Sequence, residues 1–441
     1  MARLNDLTEA DVVALSEAAG EPEWLRDVRQ AAFKDFVDQP WPTNRVEEWR
    51  HTDPRRVPLD RELADVGRAG DAVARATGIA AHADGYAARV RIVDGAVVEA
   101  SVDPSAAAQG VVATDLATAA HEHAGVLRDR LGSVIGAEDA FSAVNLAAFT
   151  VGAFLHVPAG VELDRPRAGT IQVTDAGTHL PRTLVHLGAN ARAQLVVDRS
   201  GAADATVVEV LEVDADDGAA LEAANAQDWG EGIAHVGWHR VRGSRDADVR
   251  SLEGTLGGDT VYLRPDVHLA GEGANGELYG VYYASDRQAF EHRSLIHHDA
   301  SRTTSESVYK GALQGTSRAV WYGNIRIEPH AKQCTSEETG RYLILTDHAR
   351  ADPLPFLEIL TSDVQGCGHH SSVGQIDELQ LFYLLSRGIP RRAALRMLIF
   401  GFFSEVTERI DLPGVTEAVL GEVADSIDEE AIVLSDPRRT H

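Results

Sequence analysis

Residues 249–283 read VRSLEGTLGGDTVYLRPDVHLAGEGANGELYGVYY, and this stretch decides the fold. β-Branched and aromatic residues alternate with polar ones over 249–256 and 278–283, which is the period-two pattern of a half-buried strand. Glycine, asparagine and aspartate interrupt the pattern at 257–259 and 271–276, where tight turns are expected. The stretch therefore predicts short strands joined by sharp turns.

The same pattern extends in both directions, from about Ala147 to Gly366, without a clear helical period. Further strand-like runs lie at 170–173, 195–197, 207–213, 320–327 and 342–345. Small-residue segments also open about every 28 residues, at Ala189, Gly218, Asp246 and Ala274. Regular short strands with a loose period are typical of a β-solenoid or a β-sandwich, and the repeat favours the solenoid.

Helical patterns flank this β region on both sides. Apolar residues at spacings of three and four predict helix from Thr8 to about Asp38, with a break at 20–22. A mixed region with a helix near 117–131 follows. We therefore expect a mixed α/β N-terminal domain over residues 1–146, a β core over 147–370 and a C-terminal helical domain over 371–441.

Three helices are predicted near the C-terminus, over Glu378–Ser386, over 390–410 and from Val415 to about Ser426. The first two carry more apolar side chains than a small helical unit can bury. Leaving both faces in water would cost several kcal/mol at about 25 cal/mol per Å². The β region, a partner chain or both must cover them. The residues expected to bind a partner are Leu381, Phe382, Leu385, Leu398 and Phe402.

The composition excludes several classes of protein. A formal net charge of −27 argues against nucleic acid, because a protein that neutralises phosphates needs a basic face. Two cysteines are too few for a secreted disulfide framework. The longest strongly apolar run, 397–403, is far shorter than the ~20 residues that span a bilayer. Residues 1–20 contain no apolar signal-peptide core. We expect a soluble, cytoplasmic protein that binds neither nucleic acid nor membrane.

Potential metal ligands are densest between His330 and His370. Cys367 and His369 lie close together just before the C-terminal helices, and a thiolate with an imidazole can bind zinc or iron. We therefore predict a metal-binding role for both residues, although their spacing matches no closed four-ligand zinc site. A stand-alone metalloenzyme is one alternative, and it would use His330, Cys334, Cys367 and His369.

Common enzyme motifs are missing from the sequence. It contains no phosphate-binding Gly-x-x-x-x-Gly-Lys-Ser/Thr loop, no Gly-x-Ser-x-Gly elbow and no His-Glu-x-x-His pair. A β-helix enzyme acting on carbohydrates is the second alternative and needs paired carboxylates on one face. Glu337 and Glu338 are adjacent, so on a strand they would point to opposite faces.

Short motifs follow one another in a fixed order through the second half of the chain. They are 297–298 (HH), 309–311 (YKG), 355–359 (PFLEI), 367–369 (CGH), 373–375 (VGQ), 382–384 (FYL) and 386–389 (SRGI). This series resembles the signature of the SufB/SufD family of iron–sulfur cluster assembly proteins. Near the N-terminus, 42–43 (PT) and 48–53 (EWRHTD) resemble a segment typical of its SufD-like members.

The resemblance implies a mainly β fold, with a right-handed parallel β-helix between the two flanking domains. It also implies a non-catalytic scaffold subunit that pairs with a SufB-like chain through the β-helix. The C-terminal helices would bind a SufC-type ATPase, whose ATP hydrolysis would reshape the interface. A transient iron–sulfur cluster would form there with His369, and this chain would hold no stable cofactor. A homodimeric member of the family is the remaining possibility.

Two features favour a SufD-like over a SufB-like member. The SufB-type scaffold has a cysteine just before the strand that corresponds to 357–359, whereas residues 351–355 here contain none. The segment around Trp49 also matches the SufD-like pattern. The chain departs from the family where Gly366 resembles a one-residue insertion and 370–372 replaces the usual Gly-Ala-Thr. Both departures affect the geometry around His369.

Overall fold

The structure is a computed structural model that describes residues 2–69, 85–412 and 414–427. Its strands are β1 (Ala88–Val93), β2 (Ala96–Val102), β3 (Val112–Asp115), β4 (Val151–Val157), β5 (Arg167–Val173), β6 (Gly177–His179), β7 (Pro181–Leu187), β8 (Arg192–Gly201), β9 (Ala205–Ala215), β10 (Ala220–Trp229), β11 (Ile233–Gly243), β12 (Asp248–Thr255), β13 (Thr260–Leu269), β14 (Asn275–Ala284), β15 (Ala289–His298), β16 (Thr304–Leu313), β17 (Arg318–Ile327), β18 (Cys334–Ile344), β19 (Arg350–Ile359) and β20 (Val364–Gly374). Its helices are α1 (Glu9–Ala18), α2 (Glu23–Val37), α3 (Pro104–Ala107), α4 (Leu116–Glu122), α5 (Ala124–Leu127), α6 (Ala140–Ala148), α7 (Glu378–Ser386), α8 (Arg391–Thr407) and α9 (Val415–Ser426).

The strands form a parallel β-solenoid of about eight turns. The first sheet has the order β2-β1-β5-β8-β10-β12-β14-β16-β18-β20. The second has the order β19-β17-β15-β13-β11-β9-β7-β4-β3, with β6 beside β9. The coils pair in parallel, as β10 with β12 and β11 with β13, and antiparallel pairing occurs where β2 meets β1 and β3 meets β4. The predicted β-helix is confirmed, and the alternative β-sandwich is wrong.

The repeat in the sequence marks one corner of each coil. Ala220 pairs with Arg192 in the preceding coil and with Asp248 in the next, 28 residues away in each direction. The corner residues have φ between +56° and +77°, and they are Asn190, Gly218, Asp246 and Gly273. Each corner amide donates to a carbonyl of the following coil, as Gly218 N does to Arg245 O at 2.8 Å. The small residues recur because these corners need a left-handed backbone.

Apolar side chains fill the solenoid interior, and one glycine shows how closely they pack. A Cβ atom on Gly280 would lie 2.0 Å from the ring of Tyr309 in the next coil. The Tyr309 ring is stacked in turn on Trp321, with centroids 5.4 Å apart. Large rings therefore occupy the interior where the neighbouring coil supplies a glycine.

The N-terminal segment packs on the outer face of the second sheet. Helices α1 and α2 confirm the predicted break near residues 20–22. Trp49 lies between Phe141 and Tyr262, with its ring stacked on Tyr262 at 4.1 Å. Thr52 Oγ1 donates to Glu291 Oε2 at 2.6 Å. The segment 48–53 therefore ties the N-terminus to the solenoid, and β1 extends the first sheet in parallel with β5.

The C-terminal helices α7 and α9 have the predicted bounds, α8 ends at Thr407 rather than at Ile410, and α8 and α9 pack on the outer face of the first sheet. Ile399 and Phe403 of α8 share a buried cluster with Leu252 and Val308. Lys310 Nζ of β16 donates to Phe402 O at 2.7 Å and contacts Glu405 Oε2 at 2.5 Å. The β region thus covers much of the apolar surface. Among the described residues, no helix is long and apolar enough to cross a membrane.

Candidate functional site

Cys367 and His369 lie on β20, the last strand of the first sheet, at the end of the solenoid. Cys367 is the Cα partner of Ser336 and His369 is the partner of Glu338 on β18. Ser336 and Glu338 are buried, so residues in register with them point toward the inside of the coil. His369 is nevertheless exposed, because β20 is the outermost strand. The structure therefore brings both predicted ligands to one face, at an open end.

The extra residue expected near Gly366 forms a β-bulge. Cys334 pairs with Val364 and Thr335 pairs with Gly366, which leaves Gln365 without a partner in the ladder. A one-residue bulge reverses the alternation of all side chains that follow it. The insertion consequently decides that Cys367 and His369, rather than their neighbours, face the inside of the coil.

The thiol of Cys367 is half-buried next to Ile325 and Ile327. Burial, with the nearby Glu337 and Glu338 carboxyls, raises its pKa to about 11. Burial also raises the pKa of Glu338 to about 8. Both groups therefore carry their protons at neutral pH, and a metal ion must displace the proton of Cys367 to bind its sulfur.

The ligands of the metalloenzyme alternative do not converge. His330 Nε2 lies 3.1 Å from Asp299 Oδ1. Cys334 is buried, and its sulfur contacts Thr303 Oγ1 at 3.3 Å. Across the described ranges 2–69, 85–412 and 414–427, no three of the residues His330, Cys334, Cys367 and His369 place ligand atoms within 4.8 Å of one another.

Glu337 and Glu338 point to opposite faces of β18, as the sequence indicates. Glu338 is buried, whereas Glu337 is exposed and lies 3.2 Å from His370 Nε2. A glycoside hydrolase needs two carboxyl groups that flank one bond. This pair cannot supply that geometry.

The residues predicted to bind a partner divide into three groups. Leu381 is only 2% exposed, because its side chain faces the core. Phe382 is 66% exposed and Leu385 is also exposed. Leu398 and Phe402 are partly buried against the cluster under α8. The list missed three exposed apolar side chains in α7 and α8, namely Leu379, Tyr383 and Met397.

A buried polar network inside the solenoid was not predicted. Arg199 forms two 2.6 Å contacts with Glu209, and His235 Nε2 lies 3.2 Å from the same carboxylate. Burial alone would raise the pKa of Glu209, but Arg199 and the histidines hold it well below its usual value. His235 Nδ1 accepts from Trp229 Nε1 at 3.1 Å, so both ring nitrogens have partners. The network is therefore a satisfied structural cluster, and its members are too far apart in sequence to form a motif.

The sequence is similar to proteins of one known family. Residues 170–402 match a family model described as the SUF system FeS cluster assembly, SufBD core domain. An iron–sulfur cluster assembly SufBD family protein of Mycobacterium tuberculosis is 38% identical over 303 residues, covering 66% of this chain and 73% of its own length. A SufBD family protein of Staphylococcus epidermidis is 26% identical over 434 residues, covering 93% and 91%.

These matches define first a class, the β-solenoid proteins of iron–sulfur cluster assembly. The family model spans more than half of the chain and includes β20 with Cys367 and His369. The chain belongs to the SufBD family.

Proposed function

We propose that this chain is a SufD-type scaffold subunit of an iron–sulfur cluster assembly complex. It pairs with a SufB-like chain through the last coil and binds a SufC-type ATPase through its C-terminal helices. It catalyses no reaction itself and holds a cluster only transiently. One observation carries the proposal: Cys367 and His369 lie on the outermost strand, where a second chain can share the ligands of one iron site.

The end of the solenoid supports pairing with another chain. Strands β19 and β20 end the two sheet orders, so each leaves one side of its backbone without a ladder partner among the described strands. Such long edges are templates for pairing with another chain. Phe356, Ile359 and Val373 add exposed apolar side chains to the same coil. A partner coil stacked here would cover the edges and the apolar side chains together.

Helix α7 supports the binding of the ATPase. Its exposed face carries Leu379, Phe382, Tyr383 and Leu385, an apolar patch that the solenoid leaves in solvent. Lys310 ties the following helix, α8, to β16 through Phe402 O. Displacement of the helices by a nucleotide-dependent partner would therefore pull directly on the solenoid.

The ligand role is tested by co-purifying the tagged chain with its native partners and measuring iron, sulfide and ATPase activity. His369→Ala should lower the iron and sulfide content without preventing assembly. His370→Ala is the matched control, because His370 is exposed on the other face beside Glu337 and should leave the iron content unchanged. Equal iron in both variants would refute the role of His369. Recovery of a homodimer without a SufB-like chain would refute the heteromeric assembly.

The docking role of α7 is tested separately. Phe382→Asp should abolish recovery of the ATPase while the SufB-like chain is retained, because the charge would be buried in an apolar contact. Val37→Asp is the control, since Val37 is equally exposed on α2 in the N-terminal segment. If the Phe382→Asp chain still recovers as much of the ATPase subunit as the native chain, docking on this face is contradicted.

A further inference from the structure

A cluster of histidines and acids lies on the outer face of the second sheet, in the coils farthest from Cys367 and His369. His156 of β4, His186 of β7 and Asp214 of β9 are Cα partners in register across three neighbouring strands. Their side chains therefore stand next to one another on one face. Asp216 lies just beyond the end of β9, and its carboxylate contacts the ring of His186.

Three side chains of this cluster already place possible ligand atoms together. His186, Asp214 and Asp216 each offer one atom, and the three atoms lie within 4.8 Å of one another. His186 Nε2 lies 3.1 Å from Asp216 Oδ2. Around a single metal ion with bonds of about 2.0–2.2 Å, neighbouring ligand atoms are about 3 Å apart. Small rotations of the side chains would therefore complete a site.

His156 is placed to orient the ring of His186. The two Nδ1 atoms are 2.9 Å apart and the rings are parallel within 1°. Two ring nitrogens at this distance need one N–H between them. If His186 donates that N–H, its Nε2 presents a lone pair to the acids. Histidine ligands of metals usually donate their second ring N–H in this way, which fixes the tautomer and the ring orientation.

Two arginines approach the acids, and they differ in how firmly they are held. Arg130 lies 3.5 Å from Asp214 and 3.6 Å from Asp216, which is longer than a hydrogen bond. Arg242 donates to Asp214 Oδ1 at 3.0 Å and to the carbonyl of Ser133 at 3.1 Å. A cation that enters would displace Arg130, whose contacts with the acids are long, whereas Arg242 would remain and orient Asp214.

A cavity of about 490 Å³ leads to the acids. It is lined by Asp129, Arg130, Asp214, Asp216, Arg242, Ser244 and Ala270. This volume admits a hydrated ion, since one water occupies about 30 Å³. We propose that His186, Asp214 and Asp216 bind a divalent first-row transition-metal ion, with His156 as a positioning residue. One imidazole with two carboxylates suits such an ion better than Ca²⁺ or Mg²⁺, which take oxygen ligands. The proposal is independent of the function proposed for the last coil.

The test uses the full chain treated with a chelator and titrated with Mn²⁺, with free Mn²⁺ counted by electron paramagnetic resonance. The native chain should bind Mn²⁺ at this site, and Asp216→Asn should weaken the affinity at least tenfold. His156→Asn should weaken it by about 10- to 100-fold, the usual effect of removing a group that orients a ligand. Arg130→Gln should tighten binding, because the competing cation is gone.

The matched control is Asp217→Asn, next in sequence to Asp216 but paired with Arg245 at 2.6 Å outside the cluster. It should leave the affinity unchanged, and the circular dichroism of every variant should match that of the native chain. Mn²⁺ affinity equal in the native, Asp216→Asn and Asp217→Asn chains would overturn the proposal. Absence of binding in both the native chain and Arg130→Gln would also overturn it, because the cluster would then be an ion-pair network.

Discussion

Glu212 on β9 holds the segment before α6 against the solenoid, and its replacement by glutamine should be costly. One carboxylate oxygen accepts from Arg182 Nε at 3.0 Å and from the amide of Gly132 at 3.2 Å. The other accepts from the amides of Val134 and Ile135 at 3.2 and 3.0 Å. Both Glu212 and Arg182 are fully buried. Glutamine keeps the shape but removes the charge, and its NH₂ group must face either Arg182 or the backbone amides.

The expected loss in the free energy of unfolding follows from the buried charge of Arg182, which Glu212→Gln leaves without a counter-charge. Removing one member of a buried ion pair costs about 3–5 kcal/mol, because the other charge stays buried without compensation. The exposed pair of Asp217 and Arg245 gives the control, and Asp217→Asn should cost less than about 1 kcal/mol. Urea unfolding followed by tryptophan fluorescence and circular dichroism measures both free energies of unfolding.

A double variant sharpens this test. Arg182→Met combined with Glu212→Gln should cost less than the sum of the two single variants, because no uncompensated charge then remains. A cost below about 1 kcal/mol for Glu212→Gln would refute the reasoning. Strictly additive costs would refute it as well.

Three further predictions concern the last coil and the interior. Burial raises the pKa of Glu338 from its ordinary value of 4.5 to about 8 in the folded state. Between these two pH values the folded state keeps a proton that the unfolded state has lost. Stability should therefore fall as the pH rises from about 4.5 to 8, and Glu338→Gln should flatten that fall in urea midpoints. The thiol of Cys367, with a pKa of about 11, should react slowly with iodoacetamide at pH 7.5 and about tenfold faster for each pH unit up to its pKa. Gly280→Ala should lower the free energy of unfolding by about 1–3 kcal/mol through its clash with Tyr309, whereas Gly374→Ala, with open space around it, should not.

The corners of the solenoid show how far the sequence could predict the fold. The repeat was predicted from the small-residue segments that open at Ala189, Gly218, Asp246 and Ala274, each at or next to a corner residue of the structure. It faded afterwards, since the next two corners are Arg302 and Gln333, which have φ of +60° and +57°. These residues adopt the corner because their amides are fixed by the following coil, as Gln333 N is by Asp363 O at 2.6 Å. Tertiary hydrogen bonds there override local preference, and no sequence pattern reveals them.

Helix α6 was missed for a related reason. All of its residues, Ala140–Ala148, are buried, so the helix has no polar face and no period of 3.6 residues. The β region was instead expected to begin at Ala147, which lies within this helix. Helix α2 was predicted because its apolar residues recur at helical spacing. Helix α7 was predicted from its N-terminal cap, in which Asp377 accepts from the amide of Leu379.

The candidate site was only partly visible in the sequence. Cys367 and His369 were identified because they are neighbours in a motif, and the extra residue before them was noticed. The buried Glu338 lies about 30 residues away and becomes relevant only through the register of β18 with β20. The acids and histidines of the first coils are likewise separated by about one coil each, so that only the stacking of strands joins them.

The two ends of the solenoid differ in a way that bears on its function. At the first coils, β2 pairs antiparallel with β1 and β3 with β4, and helices pack on the sheet, which are common ways to cap a solenoid. At the last coil, β19 and β20 end their sheets in strands of 10 and 11 residues, with Pro353 and Pro355 in β19 and the bulge at Gln365 in β20. Among the described residues no further strand pairs with these edges, and β20 carries Cys367 and His369. A chain that caps one end and presents Cys367 and His369 on the edge strand of the other has the geometry that the proposed shared site requires.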